Sequence, residues 1–348
     1  MTFPFNVYLA TIVGAILCSS LSLPIWRRVC IRVGLVDDPG ERKIHEGSIP
    51  LAGGLAVMTG LVLPTLLGAA LLWWFGPGSQ FSDRTPQHAP IPASGKSIST
   101  LDTYSAYLLK YGLSRRAGEL AGIMLGALGM LWLGLVDDKR ELRPIAKFSF
   151  QFVIAALVAA CGVRITLFVP SLLFSYAITI FWIVGLINAF NFMDNMNGLC
   201  SGLGAISAWN FAIISAADQQ YLVALIAFLT FGALVGFIPY NFPKASAFLG
   251  DSGSHLVGYL MAVLAILPHF YSPGHPRRFA VLIPLLVLAV PLFDMAWVVA
   301  LRCRKGQPFY HGDTNHLSHR LNRRGYSKTQ AVLLIWLIAA VLGTLACF

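Results

Sequence analysis

Apolar residues run down this chain in long blocks, and short polar or charged segments separate them. The blocks lie near residues 3–25, 52–74, 117–136, 146–161, 172–190, 198–216, 221–239, 253–268, 279–301 and 329–347. Crossing a hydrocarbon core of about 30 Å takes roughly 20 helical residues. Backbone in lipid must satisfy its own hydrogen bonds, so each block predicts a helix and not an open strand. The pattern predicts an all-α integral membrane protein of about ten transmembrane helices, two of them short enough to need thin or tilted packing. The first block lacks a short apolar stretch followed by a small-residue cleavage site, and reads as a retained helix. No tandem repeat or soluble second domain interrupts the pattern, so residues 1–348 are expected to form one polytopic domain.

Composition agrees. The 348 residues are 57% hydrophobic and only 11% charged, too little charge to cover a soluble domain of this size. Six cysteines stand without CxxC spacing, which indicates neither a disulfide framework nor a thiolate zinc site. The net charge of +10 suits anionic headgroups and phosphorylated substrates. Nucleic acid is a poor partner, because the basic residues flank apolar blocks instead of forming one patch.

The positions of the basic residues orient the chain. Connections after blocks 1, 3, 5, 7 and 9 share one face and carry 17 of the 25 Lys and Arg. The positive-inside rule puts that face in the cytoplasm and both termini outside. The opposite face holds one long segment, 76–116, expected to be an extracytoplasmic insertion. Its Pro/Ser/Gly-rich start reads as disordered and LDTYSAYLLKYGL as an interfacial helix.

Nearly all candidate chemistry falls on the cytoplasmic connections. The first contains Arg42, Lys43 and His45 and closes on Gly53-Gly54, where backbone can approach closely beside two cations. The second sets Asp137 and Asp138 at the end of an apolar block. Paired carboxylates there can hold a divalent cation, position a nucleophile or accept a proton. Pro144 can start the next helix and Lys147 lies about one turn inside it. In the third, Asn188, Asn191 and Asn195 at i, i+3 and i+7 would share a helical face, with Asp194 close to Asn191. The fourth, FLGDSGSH, places Asp251 at a helix start, either as an N-cap or as a metal and phosphate site. In the fifth, His316, His319 and Arg320 at i, i+3 and i+4 would form one cationic, donor-rich face, suited to phosphate or sugar more than zinc. Asp294 sits inside the ninth block, where an acid is either functional or paired with a polar group on a neighbouring helix.

Taken in order, these motifs resemble the polyprenyl-phosphate N-acetylhexosamine-1-phosphate transferases. The resemblance runs from about Asp38 to Arg320: RKxH with a following GG, DD with a downstream lysine, NxxNxxD, FLGDSGS, PLFD and D-x-x-H-x-x-H. It implies that Asp137 and Asp138 lie near a lipid-phosphate nucleophile and that Lys147 contacts phosphate. It also implies that Asn191 and Asp251 help hold Mg²⁺, with Mn²⁺ as a substitute, against a nucleotide-sugar pyrophosphate. His316, His319 and Arg320 would contact pyrophosphate or sugar. Arg42, Lys43, His45, Asn188, Asp194 and Asn195 would complete the substrate site. The expected partners are a UDP-N-acetylhexosamine, undecaprenyl phosphate, membrane lipid and, for this family, a second copy in a homodimer. The expected location is a bacterial cytoplasmic membrane.

Two departures bear on the substrate. Asn195 and Asn197 stand where many bacterial members read DG-x-DG. His316-Leu-Ser318-His319 replaces the three consecutive histidines usual in the phospho-MurNAc-pentapeptide transferase, which points to the GlcNAc-1-phosphate branch. The expected reaction is transfer of GlcNAc-1-phosphate to undecaprenyl phosphate with release of UMP, by direct displacement or through an aspartyl intermediate. The pentapeptide-sugar enzyme is the alternative within the family. A lipid-phosphate transporter or flippase is the alternative outside it, but would be expected to place polar groups near the midplane in two related halves. The DG…AR…D-x-x-x-D pattern of CDP-alcohol phosphotransferases is absent.

Overall fold

A computed structural model describes residues 3–38, 47–75, 103–166, 169–268, 270, 280–308, 310 and 313–347. Helix α1 (Phe5–Val33) leads into a two-residue antiparallel hairpin, β1 (Val36–Asp37) and β2 (Ile49–Pro50). Then follow α2 (Gly53–Phe75), α3 (Thr103–Arg115), α4 (Ala117–Arg140), α5 (Pro144–Ala160), α6 (Leu172–Met193) and α7 (Leu199–Ala217). The chain continues through α8 (Tyr221–Asn241), α9 (Gly250–Ile266), α10 (Ile283–Val287), α11 (Ala289–Arg304), α12 (Leu317–Arg323) and α13 (Lys328–Leu345).

All ten apolar blocks are helical, and seven of the helices are long and apolar enough to cross a membrane: α1, α2, α4, α6, α7, α8 and α13. Seven of the ten expected crossings thus meet that criterion among the described residues. Helices α5 and α9 have only 17 residues each, and the ninth block breaks at Leu288 into α10 and α11. Pro291 explains the break, because it has no N–H to donate to the Val287 carbonyl four residues back. The Ser207 hydroxyl on α7 donates to that carbonyl instead, at 3.4 Å. Pro24 in α1 similarly frees the Ser20 carbonyl, which accepts from the Tyr240 hydroxyl of α8 at 3.3 Å. Such repairs let prolines sit in helices that water does not reach.

The outer surface is that of a membrane protein. Phe5, Leu9, Val13, Leu17, Leu21 and Ile25 recur every fourth residue along α1 and are all exposed, Leu21 by 70%. In water that stripe would be a large apolar patch; in a bilayer it faces acyl chains. Helix α9 is the opposite case, with every residue from Ser252 to Ala265 buried. It packs between α4 and α6, with α2 and α7 closing around it. Two glycines allow this. A Cβ on Gly134 of α4 would strike the Ser252 backbone, and one on Gly258 of α9 would strike Leu186 and Ile187 of α6. Close backbone approach through small residues is the usual route to tight helix packing in lipid.

The end of α4, the start of α5, the end of α6 and the start of α9 meet at one end of the bundle. The first connection joins them there. Pro50 accepts from Phe248 N at 3.0 Å, and the Gly53 and Gly54 amides donate to the Phe248 and Leu249 carbonyls at 2.9 and 3.3 Å. The glycine pair thus makes the close approach expected of it. Arg42, Lys43 and His45 lie outside the described residues. So does most of segment 76–116, of which 103–115 is helical, as expected for part of it.

Candidate active site

The paired aspartates at the end of α4 divide their work. Asp138 reaches across to α9 and accepts the amides of Asp251 at 2.7 Å and Ser252 at 3.1 Å. It therefore caps the first turn of a helix more than a hundred residues away, satisfying amides that no side chain of α9 satisfies. Asp251 is not its own helix's N-cap: the cap position is Leu249, and Asp251 lies in the first turn with its carboxylate left over for other use. Asp137 turns the other way. Its Oδ1 accepts from Leu142 N at 2.8 Å, fixing the left-handed turn at Glu141, and Oδ2 forms an ion pair with Lys147.

Lys147 connects the two carboxylates, lying 3.5 Å from Asp251 as well. Its helix begins at Pro144, as expected, and this sets the lysine one turn in, facing α4 and α9. Asn191 on α6 donates its amide nitrogen to Asp251 Oδ1 at 2.7 Å and to Ser254 Oγ at 3.0 Å. In this arrangement Asn191 holds Asp251 in place.

The asparagine row diverges. Helix α6 ends at Met193, so Asn195 lies in the following turn and not on the shared face. Asn188 pairs with Gln151 of α5 at 2.7 Å, an interhelical seam one turn deeper than Asn191. Asn195 instead accepts from the Ser318 hydroxyl at 2.6 Å, reaching the last connection. Asp194, just past the helix, is pushed up to about 8 by burial and then by the charges of Asp251 and Asp138.

The last connection docks beside this cluster through carboxylates. Asp294 is 2% exposed and joins the site: it meets His316 Nδ1 at 2.7 Å and accepts the Leu317 amide at 2.6 Å. The intramembrane acid thus has a partner, which also fixes the His316 ring. Arg302, only 1% exposed, donates to Asp313 at 3.1 Å and lies 4.9 Å from the Phe192 ring. Burial alone would raise Asp313, but hydrogen bonds from Arg302 and Asn315 outweigh it and leave the carboxyl at about 2. Arg320 lies over Trp297 at 5.0 Å. Burial, then the charges of His316, Arg323 and Lys328, lower the proton affinity of His319.

Several participants escaped the sequence reading. Asn241 accepts the Gly198 amide at 2.7 Å and donates to the Ala247 carbonyl at 3.0 Å, tying the third connection to the fourth. In the sequence Arg302 is marked only as one of the basic residues that flank apolar blocks. His255 had a signal, since it lies four residues after Asp251 on the same helical face. In the structure one donor atom each from Asp137, Asp251 and His255 fall within 4.8 Å of one another, a spacing that could hold a metal ion.

Comparison with known proteins agrees with this geometry. Residues 120–269, which hold most of the cluster, match glycosyl transferase family 4. A probable undecaprenyl-phosphate N-acetylglucosaminyl 1-phosphate transferase of Bacillus subtilis is 30% identical over 91% of this chain and 78% of its own length. The decaprenyl-phosphate N-acetylglucosaminephosphotransferase of Mycolicibacterium smegmatis is 31% identical over 91% of this chain and 76% of its own. The undecaprenyl-phosphate alpha-N-acetylglucosaminyl 1-phosphate transferase of Yersinia pestis is 28% identical over 94% and 80%. The chain belongs to glycosyl transferase family 4, among the polyprenyl-phosphate N-acetylhexosamine-1-phosphate transferases, and is a membrane-embedded sugar-phosphate transferase.

Proposed function

We propose that this protein transfers GlcNAc-1-phosphate from UDP-GlcNAc to undecaprenyl phosphate, releasing UMP, at the cytoplasmic surface of a bacterial inner membrane. The observation that carries the reading is the meeting of Asp137, Asp138, Lys147, Asn191 and Asp251, from four helices, at one end of an apolar bundle. A site there faces water on one side and acyl chains on the other, which suits a soluble donor and a lipid acceptor. The names of the relatives support the acetylglucosaminyl group and the polyprenyl acceptor. The excess of Lys and Arg on the same connections supports the cytoplasmic side, with ten crossings and both termini outside.

The donor set fits a divalent cation. Asp137 and Asp251 share one ammonium, Lys147, with Asp138 and Asp194 close to Asp251, and such crowding in a low dielectric calls for further positive charge. Asp251 and Asp137 would hold Mg²⁺, which when bound neutralises charge on the pyrophosphate. The chain's own groups do the rest. Lys147, steered by Asp137, offers a cation to the acceptor or donor phosphate. Asn191 and Ser254 hold the Asp251 carboxylate, and Asp138 holds the helix that bears it. Asp294 orients His316, while Arg320 and His319 offer donors to pyrophosphate or sugar.

In the reaction, an acceptor phosphate oxygen forms a bond to the β-phosphorus of UDP-GlcNAc as the bridging bond to UMP breaks. Both oxygens of Asp138 are occupied by backbone amides, and Asp137 is occupied by Leu142 and Lys147. With both Asp138 oxygens engaged that carboxylate is not free to act as nucleophile, which favours direct displacement and catalysis by positioning. The test is to incubate purified protein with UDP-GlcNAc, undecaprenyl phosphate and Mg²⁺. Equimolar UMP and GlcNAc-pyrophosphoryl lipid are expected; folded protein that yields neither with any UDP-N-acetylhexosamine refutes the reading.

A further inference from the structure

His255 is a strongly buried side chain near the carboxylates that neither packing nor the proposed reaction accounts for. It is 2% exposed, and its Nδ1 has no hydrogen-bond partner among the described residues. Leaving a buried imidazole nitrogen unpaired costs about 1–3 kcal/mol, so an apolar residue would serve better at a purely structural position. The ring is also aimed into the cluster, with a nitrogen inside the 4.8 Å group formed with Asp137 and Asp251 oxygens. Position on the helix explains why: Asp251 and His255 are i and i+4, so both face the end of α4.

We infer that His255 is a nitrogen ligand for the divalent cation held by Asp137 and Asp251, making this a mixed nitrogen and oxygen site that selects Mn²⁺ over Mg²⁺. Mg²⁺ is hard, favours oxygen donors and loses water reluctantly, and gains little from an imidazole. Transition-series divalent ions accept imidazole nitrogen readily. A buried nitrogen beside two carboxylates therefore shifts selectivity without adding negative charge. The inference deepens the proposed function and rests on its placing of a cation at Asp251, but its test needs no turnover.

The experiment is pulsed electron paramagnetic resonance on purified full-length protein in lipid nanodiscs loaded with Mn²⁺ alone. Electron spin-echo modulation from a directly bound imidazole ¹⁴N is expected in the wild type, and is replaced by a ¹⁵N pattern when the histidines are ¹⁵N-labelled. The modulation should vanish in His255→Gln while Mn²⁺ still binds. The Mg²⁺ concentration that displaces Mn²⁺ should fall about tenfold in that variant. Absence of nitrogen modulation in the wild type overturns the inference. So does modulation that persists in His255→Gln, or in His255→Asn should the glutamine variant not fold. Because the readout is spectroscopic, a protein that binds Mn²⁺ through His255 yet releases no UMP would refute the proposed reaction and leave this inference standing.

Discussion

The two halves of the site use the same residue types in opposite proportions. At the junction of α4, α5, α6 and α9, Asp137 and Asp251 share one cation, Lys147, and Asp138 and Asp194 lie close to Asp251. Where α11 meets the last connection, Asp294 and Asp313 are each matched by a partner, His316 and Arg302, and Arg320 and Arg323 are added. The first half lacks positive charge and the second has it in excess. On the proposed function, the first half would take a metal ion and the second the pyrophosphate. In the first half a carboxylate is available to a ligand, whereas in the second the carboxylates serve the fold and present cations outward.

Removing the unshared charge of the acidic half should have the largest effect. Asp251→Asn is expected to lower UMP release by about a thousandfold with normal folding, the scale on which metal and electrostatic stabilisation act. Retention of more than a tenth of the rate would remove Asp251 from the metal site. The paired aspartates should then separate. Asp137→Asn is expected to cost about a hundredfold in kcat. Asp138→Asn, which weakens a helix cap, should lower stability by about 1–2 kcal/mol and activity by far less. Equal kinetic losses with unchanged melting temperatures would show that the two aspartates do not divide their work.

In the cationic half the effects should be smaller and fall on binding. Asp294→Asn frees the His316 ring and is expected to raise KM for the nucleotide sugar about tenfold with kcat changed little. A pure kcat loss would place His316 at the reacting atoms instead. The smallest effect concerns pH. Asp313 sits at about 2 in the folded protein, below its ordinary value near 3.8. The stability it contributes is therefore complete above about pH 4 and is lost as pH falls toward 2. Wild type and Asp313→Asn should differ in protease resistance of the 313–324 segment at pH 6 and converge near pH 2; a difference that grows on acidification contradicts the assignment.

The same contrast shows what could be read from sequence. Apolar block length gave the helices, and α1 displays the expected lipid-facing stripe. Residue type and order gave Asp137, Lys147, Asn191 and Asp251, because carboxylates and amides at membrane-helix ends have few inexpensive structural uses. What sequence did not disclose depends on partners far along the chain. Asp138 caps a helix 113 residues away, and Asn195 meets Ser318 across 123. The 17-residue length of α9 reflects a helix wrapped by four others, not one matched to lipid thickness. His255 was visible at i+4 from Asp251, but only packing shows that its nitrogen is buried and unpaired.

The central claim is that the acidic half takes the cation and the basic half takes the anion. The most direct measurement is the Mg²⁺ concentration for half-maximal UMP release from UDP-GlcNAc and undecaprenyl phosphate, compared among wild type, Asp137→Asn and Arg320→Gln. The account expects Asp137→Asn to raise that concentration about tenfold, and Arg320→Gln to leave it unchanged while raising KM for UDP-GlcNAc. Full UMP release in excess chelator, or a Mg²⁺ requirement that moves with Arg320 and not with Asp137, would contradict it.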